Sequence, residues 1–256
     1  TLVLHDIPRS EKKLIALKAE LEDCAFEYVS GRCTRCVVIF DILYYTTARE
    51  AFKDADVIFF LASLPLTGGD RSSLLSKNIS IYSDFGKALD EVAHKNCYSV
   101  VIANPANTLT YALMASAPSI SRKNFFALNT TDHNRARSIA LRIAVNAVVD
   151  EPLSHIDDAS LQLSDIEGIT AWGNHGGTMY ADTSRATIRG KPLRDLIADN
   201  ELWEKEYVEL VERRGWVLME LRGGVSSALS VARASVVVAR WLFQGSQVPS
   251  PCMGEV

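Results

Sequence analysis

Apolar and polar positions follow two rhythms along the first half of the chain. The short apolar runs in "TLVLHDI", "CVVIFDILYY", "DVIFFLAS" and "YSVVIANP" have the length and β-branched or aromatic content of strands buried on both faces. The first reads as a short buried strand ending in an acid, Asp6. Between the runs, "SEKKLIALKAELEDCAFEYV" places apolar residues at helical spacing, and "GGDRSSLLSKN" reads as a glycine-containing mobile loop leading into a helix. Strand and helix alternating in this way predict an α/β fold with a parallel sheet, because parallel strands need crossover helices that cover the sheet faces.

After "TDHNRARSIALRIAV", a good helix with an acid near its start, the texture changes. "GITAWGNHGGTMYADTSRATIRGKPL" is strand-like and turn-rich, whereas "ELWEKEYVELVERRGWVLMEL" and "SSALSVARASVVVARWLF" are long helical patterns. We therefore expect two domains, residues 1–128 and 129–256, the second of α+β type. Internal repeats and low-complexity tracts are absent.

Composition narrows the range of partners. At 256 residues the chain is long enough to bury a sizeable core. A formal charge of -4 without any Lys/Arg run argues against nucleic acid and for a small soluble partner. No apolar run approaches the roughly 18 residues that span a bilayer, and the start is not signal-like. A start at Thr1 rather than Met leaves room for sequence upstream. The five cysteines form no secreted-type framework, which points to a reducing, cytoplasmic compartment. Cys33 and Cys36 make a single CxxC; without a second ligand pair no metal site is expected.

Three short stretches carry candidate chemistry: "NPANT" at 104–108, "TDHNRA" at 131–136 and "WGNHGG" at 172–177. A histidine held by a carboxylate that fixes its tautomer is a general acid–base pair, and Asp132 with His175 can supply one. Arg135 follows Asp132 by three residues, so both lie on one helix face, and its planar fork suits a substrate carboxylate. Taken singly, Asp132 reads as a helix N-cap, and His94, His133 and His155 read as surface or turn residues.

In order and context these motifs, with "LHDI…ELEDCAF", "AFKDADV", "SAPSI…NF", "RG" and "SSALS", resemble the malate dehydrogenases of the cytosolic type, within the lactate/malate dehydrogenase superfamily. The resemblance runs from Leu2 to about Val256. It implies a Rossmann-type NAD-binding half, a catalytic half, a homodimer, and hydride transfer between NAD and a 2-hydroxy acid. Position by position, it makes His175 the proton acceptor, Asp132 its orienting partner and Arg135 the clamp on the C1 carboxylate. Asn104 would bridge cofactor and substrate, Asn78 and Ile102 would contact the cofactor, and Asp6 would take the adenosine ribose hydroxyls. Arg71 matches the loop arginine that polarises the reacting carbonyl; by itself it reads as a solvated loop charge.

The sequence also departs from that family. Its members open with a strand and a GxxGxxG turn that cradles the pyrophosphate; here the chain begins at what would be the second strand, and it stops before the family's last strands and helix. Leu66 and Thr67, in "LPLTGGDR", stand where the family carries an arginine for the distal carboxylate of malate or oxaloacetate. Loss of that partner weakens dicarboxylate selectivity, since an unpaired buried charge costs about 3–5 kcal/mol, and Leu66 favours an apolar tail. Ala103, Phe85, Thr130 and Thr131 also differ from the family's usual residues, and the stretch from Ser30 to Phe52 is several residues longer. Two functions follow: an NAD-dependent 2-hydroxy acid dehydrogenase, supported by the retained histidine, aspartate and arginines, and a weakly active or inactive paralogue serving as a structural subunit of a larger assembly, supported by the missing phosphate turn and Leu66.

Overall fold

The computed structural model describes residues 1–24, 42–64, 71–150, 161–175, 178–196, 200–244 and 253–255. Leu66, His155 and the Cys33/Cys36 pair lie outside the described residues. The chain divides into two compact units. One comprises Thr1–Ile58, Leu64–Ser99 and Tyr111–Asn124; the other comprises Phe59–Ser63, Val100–Thr110 and Phe125–Val256.

In the first unit, strand β1 (Leu2–His5) pairs in parallel with β2 (Ile42–Tyr45), from Leu2↔Ile42 to His5↔Tyr45. Helix α1 (Glu11–Asp23) connects them, as parallel pairing requires. The expectation of a buried first strand is corrected: Leu2 is 42% exposed and Val3 37%. The reason is that β1 and β2 form a sheet of two strands among the described residues, which leaves an edge and much of a face open.

Helix α2 (Ala48–Phe52) starts at Thr47, whose Oγ1 accepts from Glu50 N while Glu50 reaches back to the threonine hydroxyl. The Thr47 hydroxyl thus accepts from the Glu50 N–H and donates to the Glu50 carboxylate, so "TARE" supplies a threonine N-cap. Phe52 then packs edge-on against His5 and Phe85, and Phe85 against Tyr82, so the strand end, α2 and α3 (Arg71–Val92) share one aromatic cluster. Gly86 lets α3 pass close to α4 (Ala106–Ala115): a Cβ there would lie 2.5 Å from the Leu113 carbonyl oxygen.

The strands β3 (Val57–Phe60), β4 (Tyr98–Val101), β5 (Phe125–Leu128) and β11 (Met253–Glu255) form a sheet in the order β11-β5-β4-β3, with β11 antiparallel to β5. Every residue of β5 is buried, as is β4 after Tyr98. Of the runs read as strands, β4 fulfils the prediction best; β5 is a further buried strand that the sequence reading did not single out.

The second unit is α+β, as expected. Antiparallel β7 (Thr170–Trp172) and β8 (Tyr180–Asp182) form a hairpin, and β6 (Ile166–Glu167), β9 (Thr187–Ile188) and β10 (Lys191–Pro192) form a second small sheet in the order β10-β9-β6. Helix α5 (Thr130–Asp150) buries Ala136, Ile139, Ala140 and Ala144, the periodic stripe visible in the sequence. That stripe clusters with Tyr207 and Val211 of α6 (Asn200–Leu221) and with Ile166, Ile169, Met179 and Ile188 from the strand region. Burying each such large aliphatic side chain contributes about 1.5–3 kcal/mol. Helix α7 (Leu229–Gln244) buries Ala234 and Val238 one turn apart. Among the described residues, no helix is long and apolar enough to cross a membrane.

Candidate active site

The site grows from the junction between β5 and α5. After Leu128 the strand stops, and the Asn129 carbonyl accepts from the backbone N–H groups of Asp132 and His133, closing the first helical turn. Asp132 therefore sits inside that turn. The reading of Asp132 as an N-cap is corrected: its carboxylate is committed to side chains instead of to the helix's free N–H groups.

Asp132 is 1% exposed. One oxygen, Oδ1, accepts from Arg135 Nη1 at 3.0 Å, and the other, Oδ2, lies 2.5 Å from His175 Nδ1. The Arg135 side chain is 12% exposed and that of His175 29%. A buried carboxylate thus meets a largely buried guanidinium on one side and a partly exposed imidazole on the other. Its bond to Nδ1 fixes the ring and leaves Nε2 as the nitrogen free to exchange a proton with a ligand.

His175 lies on the connection between β7 and β8, and several contacts hold that hairpin. Asn129 Nδ2 donates to the Ala171 carbonyl at 2.9 Å, and Trp172 Nε1 donates to Asp182 Oδ2 at 3.2 Å. The Ser184 N–H bond to Asp182 holds this carboxyl below the usual range, with the Trp172 bond adding to the effect. Gly173 occupies the left-handed region, φ +84°, which a side chain there would resist. Asn107, in the first turn of α4, donates from Nδ2 to Asn174 Oδ1 at 3.1 Å. Sequence reasoning did not find Asn107, Asn129 or Asn174 as contact residues, because isolated asparagines beside turns carry no partner signal.

Asn104 and Ile102 belong to the same unit. Ile102 N donates to the Phe60 carbonyl at 2.9 Å, extending the β4 register, and Asn104 follows as an exposed residue before Pro105. The structure therefore brings Asp132, Arg135 and His175 into direct contact, with Asn104 and Ile102 on a neighbouring segment of the second unit. The first unit carries Asp6, Asn78 and Arg71. Asp6 is exposed at the end of β1, with Oδ1 accepting from Ile7 N at 2.7 Å. Asn78 is buried on α3, and its Oδ1 accepts from Leu64 N at 2.9 Å. Arg71 opens α3.

The remaining histidines part ways. His94 is exposed in the turn after α3, as expected. The surface reading of His133 is corrected: it faces inward on α5, with a buried Nδ1 that has no hydrogen-bond partner. Burial, reinforced by the Arg137 guanidinium, pushes its pKa down to about 4.

Comparison with known proteins matches both halves of the chain to domains of one family. Residues 1–126 match the lactate/malate dehydrogenase NAD binding domain, and residues 130–250 match the lactate/malate dehydrogenase alpha/beta C-terminal domain. A malate dehydrogenase from Naegleria fowleri is 28% identical with a TM-score of 0.75, over 93% of this chain and 65% of that one. A Trichomonas vaginalis lactate dehydrogenase, in complex with NADH and oxamate, is 30% identical with a TM-score of 0.74, over 94% of this chain and 66% of that one. The chain thus spans about two thirds of the length of these enzymes, and it resembles a malate and a lactate dehydrogenase about equally. With its two domain matches covering nearly all of its length, the chain belongs to the lactate/malate dehydrogenase family.

Proposed function

We propose that the chain is an NAD-dependent 2-hydroxy acid dehydrogenase of the malate dehydrogenase type, with residues 1–128 as the cofactor half and 129–256 as the substrate half. The observation that carries this reading is the buried Asp132 carboxylate, bonded at once to His175 and to Arg135.

The residues of the first unit suit NAD. Asp6 follows β1 with its carboxylate steadied by the Ile7 N–H and still exposed, a disposition fit to accept hydrogen bonds from ribose hydroxyls and to repel a 2′-phosphate. Asn78, steadied by Leu64 N, is a further contact from this unit, and Ile102, from the second unit, is the remaining one. When bound, the reduced nicotinamide supplies a hydride to the substrate's C2.

The chain's own residues do the rest. Arg135 grips the C1 carboxylate through its planar fork, and Arg71 polarises the reacting carbonyl. His175 Nε2 gives its proton to the carbonyl oxygen during reduction and takes it back during oxidation, while Asp132 stabilises the imidazolium. Asn104 bridges cofactor and substrate. Leu66 meets the substrate tail, which favours an apolar or aromatic 2-oxo acid over oxaloacetate. The assembly proposed is a homodimer or a subunit of a larger complex, in a reducing cytoplasmic compartment where Cys24 and Cys97 stay free thiols.

Following NADH consumption with phenylpyruvate and with oxaloacetate tests the reading. Turnover with either acid supports it, and a chain that binds NADH yet turns over neither acid replaces it with the structural-subunit alternative. Titration with NAD and NADP tests Asp6: tighter NADP binding removes its role.

A further inference from the structure

The connection that carries His175 is tied to its surroundings by two side-chain bonds of different origin. One joins His175 to Asp132 on α5. The other joins its neighbour, Asn174, to Asn107 on α4. All four residues lie in the second unit. We propose that Asn107 and Asn174 are positioning residues, an amide bridge that fixes the orientation of the His175 imidazole relative to the segment bearing Asn104.

A single hydrogen bond fixes a distance and leaves rotation about it. Gly173, immediately before Asn174, has φ +84° and no Cβ, so the backbone entering this loop lacks the torsional restraint that a side chain gives. Below it, the hairpin is firm: Trp172 pairs with Tyr180, and Trp172 bonds to Asp182. Gly173 thus gives the backbone leading into His175 torsional freedom, and the second tie acts on this stretch. Asn107 stands three residues after Asn104, at the start of α4, so the bridge sets the spacing between the Asn104 segment and the histidine. Both asparagines are exposed, and an exposed hydrogen bond adds little to stability because water competes for it. Its consequence is geometric, and misplacement of a catalytic group by about 1 Å can cost on the order of a hundredfold in rate.

The inference rests on the reading of His175 as the proton-transfer residue, so its test includes a readout independent of turnover. The Nδ1 proton shared with Asp132 gives a far-downfield proton NMR signal, identified by its absence in His175→Gln. In Asn107→Ala and Asn174→Ala we expect that signal broadened or lost, with Tm held within about 2 °C. In Asn174→Asp, whose carboxylate still accepts from the Asn107 amide, the signal persists. Turnover falls about tenfold in the alanine variants with NADH affinity unchanged, and Asn174→Asp restores it. A wild-type chain without the signal, alanine variants that keep it, or losses in all three variants that track a falling Tm overturns the proposal. If the wild-type chain turns over no 2-oxo acid, the dehydrogenase reading fails separately, and the NMR comparison decides the bridge alone.

Discussion

Asp132 Oδ2 lies 2.5 Å from His175 Nδ1, although 43 positions separate the two residues in the chain. On the proposed reading, removing the imidazole removes the proton-transfer group and leaves the proposed cofactor residues Asp6 and Asn78 untouched. His175→Ala is therefore expected to lower turnover by roughly 10²–10⁴, with NADH affinity almost unchanged. Equal turnover in the variant removes His175 from the mechanism.

The same carboxylate neutralises Arg135, whose side chain is 12% exposed. Asp132→Ala leaves that guanidinium largely buried without its counter-charge, a loss expected to cost about 3 kcal/mol. Urea unfolding of the two proteins measures it; a variant as stable as wild type shows that water replaces the aspartate.

Gly215 of α6 faces the Arg135 guanidinium: a Cβ there would lie 3.4 Å from Nη1. That is ordinary contact, so Gly215→Ala is expected to keep the substrate KM and to gain about 0.5–1 kcal/mol from helix propensity. Gly215→Leu drives a branched side chain against the guanidinium and should raise the KM for a 2-oxo acid about tenfold through lost orientation. Unchanged KM in the leucine variant places the carboxylate clamp elsewhere.

His133 gives a pH dependence of stability with a definite sign. The folded state keeps its imidazole neutral down to about pH 4, whereas an unfolded histidine takes up a proton near pH 6.5. Between those values the unfolded chain binds more protons, so stability falls as pH drops through the window, by about 2–3 kcal/mol at its lower end. His133→Gln should flatten this part of the profile, as read by urea unfolding at pH 7 and pH 4.5. Parallel profiles for the two proteins assign the acid sensitivity to other groups.

Leu66 separates descent from activity. On the proposed reading, in which Arg135 takes the C1 carboxylate and Arg71 the carbonyl, the tail of the substrate decides selectivity. Leu66→Arg is expected to shift preference toward oxaloacetate over phenylpyruvate by about tenfold or more, because a paired charge discriminates better than a methylene. A clear wild-type preference for oxaloacetate contradicts the assignment.

Much of this was readable from patterns of fixed period. Strand β4 and the helix bearing the stripe Ala136–Ile139–Ala140–Ala144 were legible because burial on two faces or on one helix face leaves a periodic trace, whereas the four residues of β5 went unread. The Asp132–Arg135 contact was legible too, since i,i+3 spacing fixes a helix face. Other features depend on partners that no local pattern names. The exposure of β1 goes with its pairing to β2 alone among the described residues, and the inward position of His133 goes with the approach of the Ile169 backbone to α5. The Asn107–Asn174 bond joins residues 67 positions apart in exposed turns, where neither hydropathy nor spacing marks a contact.

The central claim, that this chain moves a hydride to the C2 of a 2-oxo acid with His175 as proton donor, is tested most directly by isotope transfer. NADH deuterated at the transferring position of C4 is incubated with phenylpyruvate and the chain, and the product is read by mass spectrometry and proton NMR. One deuterium is expected at C2 of the 2-hydroxy acid formed by wild type, with transfer reduced by at least about a hundredfold in His175→Ala. Product without deuterium at C2, or equal transfer by the His175→Ala variant, would contradict it.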